Sequence, residues 1–297
     1  MGDLVIRPMR ADDVAACEQI SDESFHLVDV AQQRAGDPEP SRRPAERSQR
    51  WIDRTLSLVA TDGPGCWVAE FSDRPGHVVG FATSLRRETL WILATFAVRP
   101  DLQARGVGRS LLDAASQHSQ GCLRGMLASS SDPRAVRRYV AAGFDLHPQM
   151  VLTGSVDPTA APALGHVREA TGRDHDLMDS LDRRVRGAGR GGDHRLLARM
   201  APPLVLETRT SAGYVYADQG SVQALAATDR RTAERLLWAA LLLTPDGETA
   251  KVAHVTGANQ WALRVGTAAG LTVGTGGFLG VRGMRPPTPY LHNGALL

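Results

Sequence analysis

The chain has 297 residues, 42% of them hydrophobic and 22% charged, which excludes a disordered chain and suits about two globular domains. Its 34 basic and 32 acidic residues leave a formal charge of +2. Up to residue 155 there are 18 basic and 19 acidic residues, and beyond it 16 and 13, so neither part is basic enough to point to nucleic acid. Lys251 is the single lysine, and the arginines are scattered, as a GC-rich genome would write them. Cys17, Cys66 and Cys122 are odd in number and form no CxxC pair, so neither a disulfide framework nor a zinc knuckle is expected, and a reduced, cytoplasmic compartment fits. The start, MGDLVIRPMRADD, has no apolar signal core. The longest apolar run, Leu236 to Leu243, is far short of the roughly 20 residues of a membrane helix, so a soluble protein with no membrane partner is expected.

In chain order, residues 4–7 read as a strand and 11–25 as a helix with an Asp-rich first turn. Residues 30–48, rich in Pro, Asp, Arg and Gln, read as a mobile loop or a loop running into a helix around Trp51–Leu58. Strands are predicted at 66–71, 78–86 and 90–98, separated by DRPG and RRET turns. From Gly106 the pattern is helical, followed by a strand at 123–129, a helix at 133–142 and a strand at 144–154. Residues 155–164, SVDPTAAPAL, read as a linker. The order then begins again, with strand 165–169, helix 173–186, strands near 203–208, 212–217 and 221–227, helix 229–243, strand 251–256, helix 259–269 and strand 271–281. Two tandem domains are therefore expected, 1–154 and 165–297, each of α/β (α+β) class with a mixed, mostly antiparallel twisted sheet flanked by helices.

A finer repeat supports that order. Asp132, Ala135, Tyr139, Gly143 and Phe144 sit at offsets 0, 3, 7, 11 and 12, and Asn259, Ala262, Gly266, Gly270 and Leu271 sit at the same offsets in the second part. The same spacing at the same place in two similar element strings reads as a duplication.

The segment FAVRPDLQARGVGRSLL, residues 96–112, carries the chemistry. A strand ends near Val98, Pro100 opens a turn, and Gln103-Ala104-Arg105-Gly106-Val107-Gly108 leads into a helix. Glycines there let backbone N–H groups approach an anion, the helix N-terminus favours negative charge, and Arg105 and Arg109 add positive charge. A pyrophosphate cradle and a plain strand-to-helix turn both fit these residues. A Walker loop does not, for want of Gly-Lys-Ser/Thr, nor does the dinucleotide GxGxxG.

This strand–VRP–QxxGxG–helix segment resembles the acyl-CoA-binding motif of the GCN5-related N-acetyltransferases (GNAT). The later DPRAVRRYVAAGF resembles that family's C-terminal motif, Asn-x-x-Ala-x-x-x-Tyr-x-x-x-Gly-Phe. The resemblance spans residues 1–154 in element order. It implies that the backbone of Phe96, Ala97 and Val98, on a splayed strand, bonds the thioester and pantetheine of acetyl-CoA, and that residues Gln103 to Ser110 hold the pyrophosphate. Ala135 falls in the motif, and Asp132 takes the place of the usual Asn that contacts the cofactor. Tyr139 takes the place of the tyrosine that protonates the departing thiolate. A thiol of pKa about 8.5 can be served by a phenol of pKa about 10. Tyr139 equally suits a core position on an amphipathic helix. An amine attacking the thioester directly needs no protein nucleophile, so the implied activity is acetyl transfer to a small-molecule or peptide amine in a ternary complex. The competing reading is a non-catalytic acyl-CoA sensor or scaffold.

A general base is less legible. Glu88 is near where some members place a glutamate, but RRET is also a plain polar turn, and a water chain or no base would serve an amine of low pKa. Some multidomain acetyltransferases, such as the enhanced intracellular survival family, use a C-terminal carboxylate, which makes Leu297 a candidate, although a tail docked as a last strand explains PPTPYLHNGALL as well. The second part lacks the cradle, reading ALAATDRRTAERLL with Gly266 in place of the tyrosine, so a degenerate copy that walls the substrate cleft or dimerises is expected. Either a monomer or a homodimer is compatible with the sequence. Gly187 to Gly192 satisfies GxGxxG but follows LDRRVR rather than a strand. It reads as a flexible loop whose Arg190, Asp193 and His194 could meet substrate. His26, His118, His147 and His254 lack metal-ligand spacing, so no metal is expected. Ser129-Ser130-Ser131 has no GxSxG elbow.

Overall fold

The computed structural model describes residues 2–33 and 39–297. In chain order its elements are β1 (Leu4–Pro8), a 3-10 turn (Ala11–Asp13), α1 (Val14–Gln32), α2 (Ala45–Thr61), β2 (Cys66–Phe71), β3 (Gly80–Arg87), β4 (Leu90–Val98), α3 (Val107–Gln117), β5 (Arg124–Ser129), α4 (Pro133–Ala141) and β6 (Asp145–Gly154). Then follow β7 (Val167–Glu169), a 3-10 turn (Gly172–Asp174), α5 (His175–Arg186), α6 (Asp193–Met200), β8 (Pro203–Glu207), β9 (Ala212–Asp218), β10 (Ser221–Ala227), α7 (Arg230–Leu241), β11 (Ala250–Thr256), α8 (Gln260–Ala268), β12 (Thr272–Arg282) and β13 (Tyr290–Leu291). The string of strand, 3-10 turn, two helices, three strands, helix, strand, helix and strand occurs twice. The two ends of the 30–48 segment are helical, because α1 runs on to Gln32 and α2 begins at Ala45, and residues 39–44 run as a loop into α2. Residues 34–38 of that expected loop lie outside the described residues. The helix α6 was not expected, since the glycine run ahead of it masks its start.

Both copies open on the same ion-pair clamp. Arg7 on β1 binds Asp13 through two N–H groups at 2.7 and 2.8 Å, and Arg168 on β7 binds Asp174 in the same way at 2.9 and 2.6 Å. Each carboxylate also accepts the backbone N–H at the head of its turn, from Arg10 at 2.8 Å and from Thr171 at 2.7 Å. A bidentate guanidinium and a backbone donor favour the ionised carboxylate. Although burial opposes them, they hold both Asp13 and Asp174 below the ordinary carboxylate range. Arg7 lies opposite Val68 and Arg168 opposite Val205, and Glu70 and Glu207 stand two residues further on in each partner strand. Arg7 takes Glu70 as a second partner at 2.9 Å.

The chain divides into two compact units, Met1–Arg86 with Trp91–Gly125, and Arg87–Leu90 with Met126–Leu297. The first carries the strand order β1-β2-β3-β4, with β1–β2 and β2–β3 antiparallel, and α3 packs on β1 and β2. Its core includes Leu58, Val68, Phe81, Leu85 and Trp91. In the second unit the order is β5-β12-β6-β11-β10-β9-β8-β7, with α7 on β8, β9 and β10 and α8 on β11 and β12. These units do not coincide with the 1–154 and 165–297 segments. The reason is β6, which pairs antiparallel with β12 along one edge and with β11 along the other, so the last strand of the first copy lies between two strands of the second.

Where β12 passes β6 the register shifts between Thr275 and Phe278, so that Gly276 and Gly277 together stand against the one residue Gln149. Gly277 has φ of 59°, and a Cβ there would collide with the Ser129 carbonyl of β5. Gly277→Ala therefore combines backbone strain with a clash against an immovable carbonyl, and is expected to cost roughly 2–4 kcal/mol in urea unfolding. A loss under 0.5 kcal/mol would mean that the bulge is not as placed.

Candidate functional site

The segment 96–110 lies in the first unit. Ala97 and Val98 are buried and Phe96 is half-buried at the end of β4. The Val98 carbonyl accepts from the Gln103 side chain at 3.0 Å and from the Ser24 hydroxyl at 3.2 Å, which ties the strand end to the loop. Gln103 is thus a brace for the cradle.

Ala104 and Gly106 both have positive φ, 63° and 88°. Gly106 is the N-cap of α3, and no side chain caps that helix. The N–H groups of Arg109 and Ser110 bond back to the Gly106 carbonyl at 2.9 and 3.2 Å, so the N–H groups before them are the ones a helix start leaves for a ligand. A Cβ at Gly106 would meet no heavy atom within 4 Å, so the glycine answers to its φ and to open space in front of it. Ala104, Arg105, Gly106 and Arg109 are exposed, Gly108 and Ser110 are half-buried, and Val107 anchors the turn in the core. Arg109 meets Asp113 only at 3.8 Å. The result is a glycine-turned helix start, uncapped by any side chain and flanked by guanidinium groups, which can hold a diphosphate.

Asp132 and Tyr139 lie in the second unit on α4. Asp132 is the N-cap, accepting the Arg134 N–H at 2.8 Å and pairing with the Arg134 side chain at 2.8 Å. That side-chain bond, opposed by burial, holds its carboxyl below the usual range. The acidic residue in the Asn position is thus a working helix cap. Ala135 is half-buried on the next turn. Tyr139 is buried, and burial pushes the phenol above its ordinary pKa. It therefore keeps its proton at neutral pH.

The two base candidates are also in the second unit. Glu88 has φ of 52° and accepts a bond from Arg183 Nε at 2.6 Å. Leu297 is fully buried, its carbonyl bonded by Arg186. The tail is docked through β13, which pairs with β10, and Ala295, Leu296 and Leu297 are buried with it.

What sequence reasoning missed is the network under that tail. Arg186, Arg190 and Asp182 are all buried, with Arg190 Nε 3.2 Å from Asp182 and Asp182 accepting the Tyr214 hydroxyl at 2.8 and 2.9 Å. Arg190 also bonds the Leu296 carbonyl and the Tyr290 hydroxyl. Asp193 is bound by Arg87 at 2.6 Å, and His194 stacks between His175 and Tyr216. Arg190, Asp193 and His194 are thus at most 1% exposed, and the expectation that they meet substrate from a flexible loop is corrected. Asp182 and Arg186, at i and i+4 on α5, were the available signal, hidden inside a charge run that reads as a solvated helix, while Arg190 lies in the glycine loop beyond it.

Residues 62–146 match the family model described as an acetyltransferase (GNAT) domain. The matched stretch runs from the turn before β2 to the start of β6 and contains the 103–110 loop and α4. Among solved structures it is similar to a Pyrococcus horikoshii protein whose assignment as an acetyltransferase is itself provisional, with 18% identity over 99% of this chain and 95% of that one, and a TM-score of 0.72. It is also similar to GCN5-related N-acetyltransferases of Kribbella flavida (16% identity, 94% of this chain and 72% of that one, TM-score 0.57) and Sphaerobacter thermophilus (15%, 95% and 96%, TM-score 0.55). At these identities the shared property is the fold. No curated protein matches the chain. Among the described residues no helix is long and apolar enough to cross a membrane.

The buried histidines set the acid stability of the second unit. Burial pulls His194 down to about 4 against the opposing pull of Asp182, and pulls His254 down to about 4 as well. A histidine neutral in the fold and basic when unfolded stabilises fully above about pH 6.5, and that contribution falls as pH drops towards 4. Each such group contributes a slope of about 1.4 kcal/mol per pH unit within that window. The Tm is therefore expected to fall between pH 6.5 and 4, before the clamped carboxylates titrate. His194→Gln is expected to flatten that decline, and an unchanged slope would contradict the assignment.

Proposed function

We propose that the protein is an acetyl-CoA-dependent N-acetyltransferase with one acetyl-CoA site per chain, built on β4 and the 103–110 loop. The observation that carries this reading is the contrast between the two equivalent helix starts. The N-terminus of α3 has Gly106 as its N-cap and no side-chain cap, whereas α7 begins at Asp229, whose carboxylate accepts from Thr232 N–H at 3.0 Å. A helix start that carries its own carboxylate repels a second anion.

A second contrast supports it. The strand end Leu225-Ala226-Ala227 corresponds to Phe96-Ala97-Val98, and it is taken by the tail: Leu225 pairs with Leu291, Ala226 with Tyr290, and the Ala227 N–H donates to the Pro289 carbonyl. The second copy's own chain fills the backbone positions that the first copy offers to a ligand. We therefore read that copy as non-binding.

When bound, acetyl-CoA supplies an activated thioester. Loop N–H groups with Arg105 and Arg109 hold the diphosphate, and the Ala97 and Val98 backbone orients the acyl end. The resemblance of its motif makes Tyr139, a protonated phenol at neutral pH, the candidate donor of a proton to the leaving sulfur. Asp132 positions α4 rather than touching the cosubstrate. No protein base is assigned, because Glu88 is held by Arg183 and Leu297 is buried under Arg186. The amine loses its proton to water. The competing reading, a non-catalytic acyl-CoA sensor, rests on the acidic residue at 132 and on the absence of an assigned base.

The test is CoA release from acetyl-CoA across an amine panel, followed for Tyr139→Phe. The variant is expected to lose about 10- to 100-fold in kcat with KM for acetyl-CoA within about twofold. Full turnover across the pH range would remove Tyr139 from the chemistry, and no CoA release with any amine would leave the sensor reading in its place.

A further inference from the structure

In and just before α2 several arginines pair with carboxylates, and Arg54 is the one whose Nε is buried with no partner among the described residues. Arg43 is neutralised by Glu18 at 2.6 Å, with Ser21 as a further partner at 3.1 Å. Arg42 pairs with Asp22 at 3.1 Å, and Arg50 with Glu46 at 3.1 Å. Arg54, on α2, pairs with no carboxylate among the described residues. Its Nε is buried and has no hydrogen-bond partner, and its one side-chain bond is a long one, 3.4 Å from NH2 to the Thr95 hydroxyl. Arg43 and Arg54 each place their guanidinium carbon 5.7 Å from the centre of the buried Trp51 ring, and that ring is braced edge-on by Phe81 at 5.6 Å.

Such an arrangement is costly for a resting protein. A guanidinium half removed from water, with its Nε buried, is normally matched by an anion, and a cation–π contact with Trp51 replaces only part of that. Burial and the neighbouring charge of Arg43 accordingly lower the Arg54 pKa to about 10, at which it still carries its charge at neutral pH. The Thr95 hydroxyl that it reaches belongs to β4, one residue before Phe96 and at the end of the 95–98 stretch away from the diphosphate cradle. With Arg43 and Glu18 cancelling, the local set is left with a single positive charge.

We propose that Arg54 recognises the acceptor, and that the acceptor amine carries a carboxylate, as an amino acid or a peptide C-terminus does. This deepens the acetyltransferase reading and rests on it. A monoanion matches the one uncompensated charge, and a planar carboxylate suits a guanidinium with free N–H groups. Bound there, the carboxylate removes the burial penalty of Arg54 and fixes the amine close to the strand that presents the acyl carbon. Arg54 is thus a specificity residue, distinct from the residues that hold acetyl-CoA.

The test is a matched acceptor panel, the amino acids against their amides and decarboxylated amines, with initial rates for wild type, Arg54→Gln and Arg54→Lys. Wild type is expected to favour a carboxylate acceptor over its amide by at least about 10-fold in kcat/KM. Arg54→Gln is expected to erase that preference by raising KM for the carboxylate alone, with Arg54→Lys restoring part of it. The acetyl-CoA Kd is expected to stay within about twofold. The Tm of Arg54→Gln is expected not to fall, since the substitution removes a half-buried charge whose Nε has no partner, whereas a structural arginine would leave a weaker fold. Equal use of amide and carboxylate by wild type, an equal loss on both in Arg54→Gln, or a weakened acetyl-CoA Kd would overturn the proposal while leaving the transferase reading intact. No CoA release from any acceptor would overturn both.

Discussion

Backbone hydrogen bonding along both edges of β6 is the constraint on which the second unit depends. A strand paired on both edges has its N–H and C=O groups satisfied from two directions, and it cannot leave without exposing those of β11 and β12 as well. This strand ends the first copy of the element string, while its two partners come from the second. The register is set by a pair of glycines at the bulge, one of them pressed against the Ser129 carbonyl. The second copy therefore folds around a strand that precedes it in sequence, and the linker at 155–164 joins segments that already share a sheet.

Given that frame, the two copies differ most where a ligand would bind. Both have a helix after their third central strand, and helix geometry leaves N–H groups unsatisfied at each start. In the first copy a glycine with positive φ turns the chain and leaves the start open, with arginines alongside. In the second, Asp229 closes the same position with a carboxylate, and residues 289–291 take the strand edge beside it. The loss of cosubstrate binding proposed for the second copy is a physical substitution: protein groups stand where a cosubstrate would. The buried arginines 186 and 190 hold that substitution in place by bonding the tail carbonyls, with Asp182 balancing part of their charge.

Most of the element order was legible in the sequence because hydrophobic period, glycine turns and Asp caps agree along the chain. The glycine-turned start of α3 was legible for the same reason, because Gly106 follows a strand and a proline turn. The α2 segment was only half legible: its polar start looks like loop, and its burial depends on three residues, Trp51, Thr55 and Leu58, that turn inward. The Arg–x5–Asp clamp that opens both copies was in plain view at 7 and 13 and at 168 and 174, yet a lone ion-pair spacing carries no signal until both copies are laid side by side. Arg54 and the Asp182 network were not legible, because a charged residue in a helix reads as solvated unless its neighbours in space are known. The strand exchange at β6 was equally hidden, since local pattern says where a strand lies and nothing about which strand it joins.

The central claim is that one copy binds acetyl-CoA and the other is filled by its own chain. Calorimetric titration of the full chain with acetyl-CoA tests it most directly, with Gly106→Ala as the control for location. The account predicts a stoichiometry of one, lost or weakened at least about 10-fold in the variant because a Cβ at φ of 88° strains the loop that bears the diphosphate. Two sites per chain, or one site that Gly106→Ala leaves untouched, would contradict it.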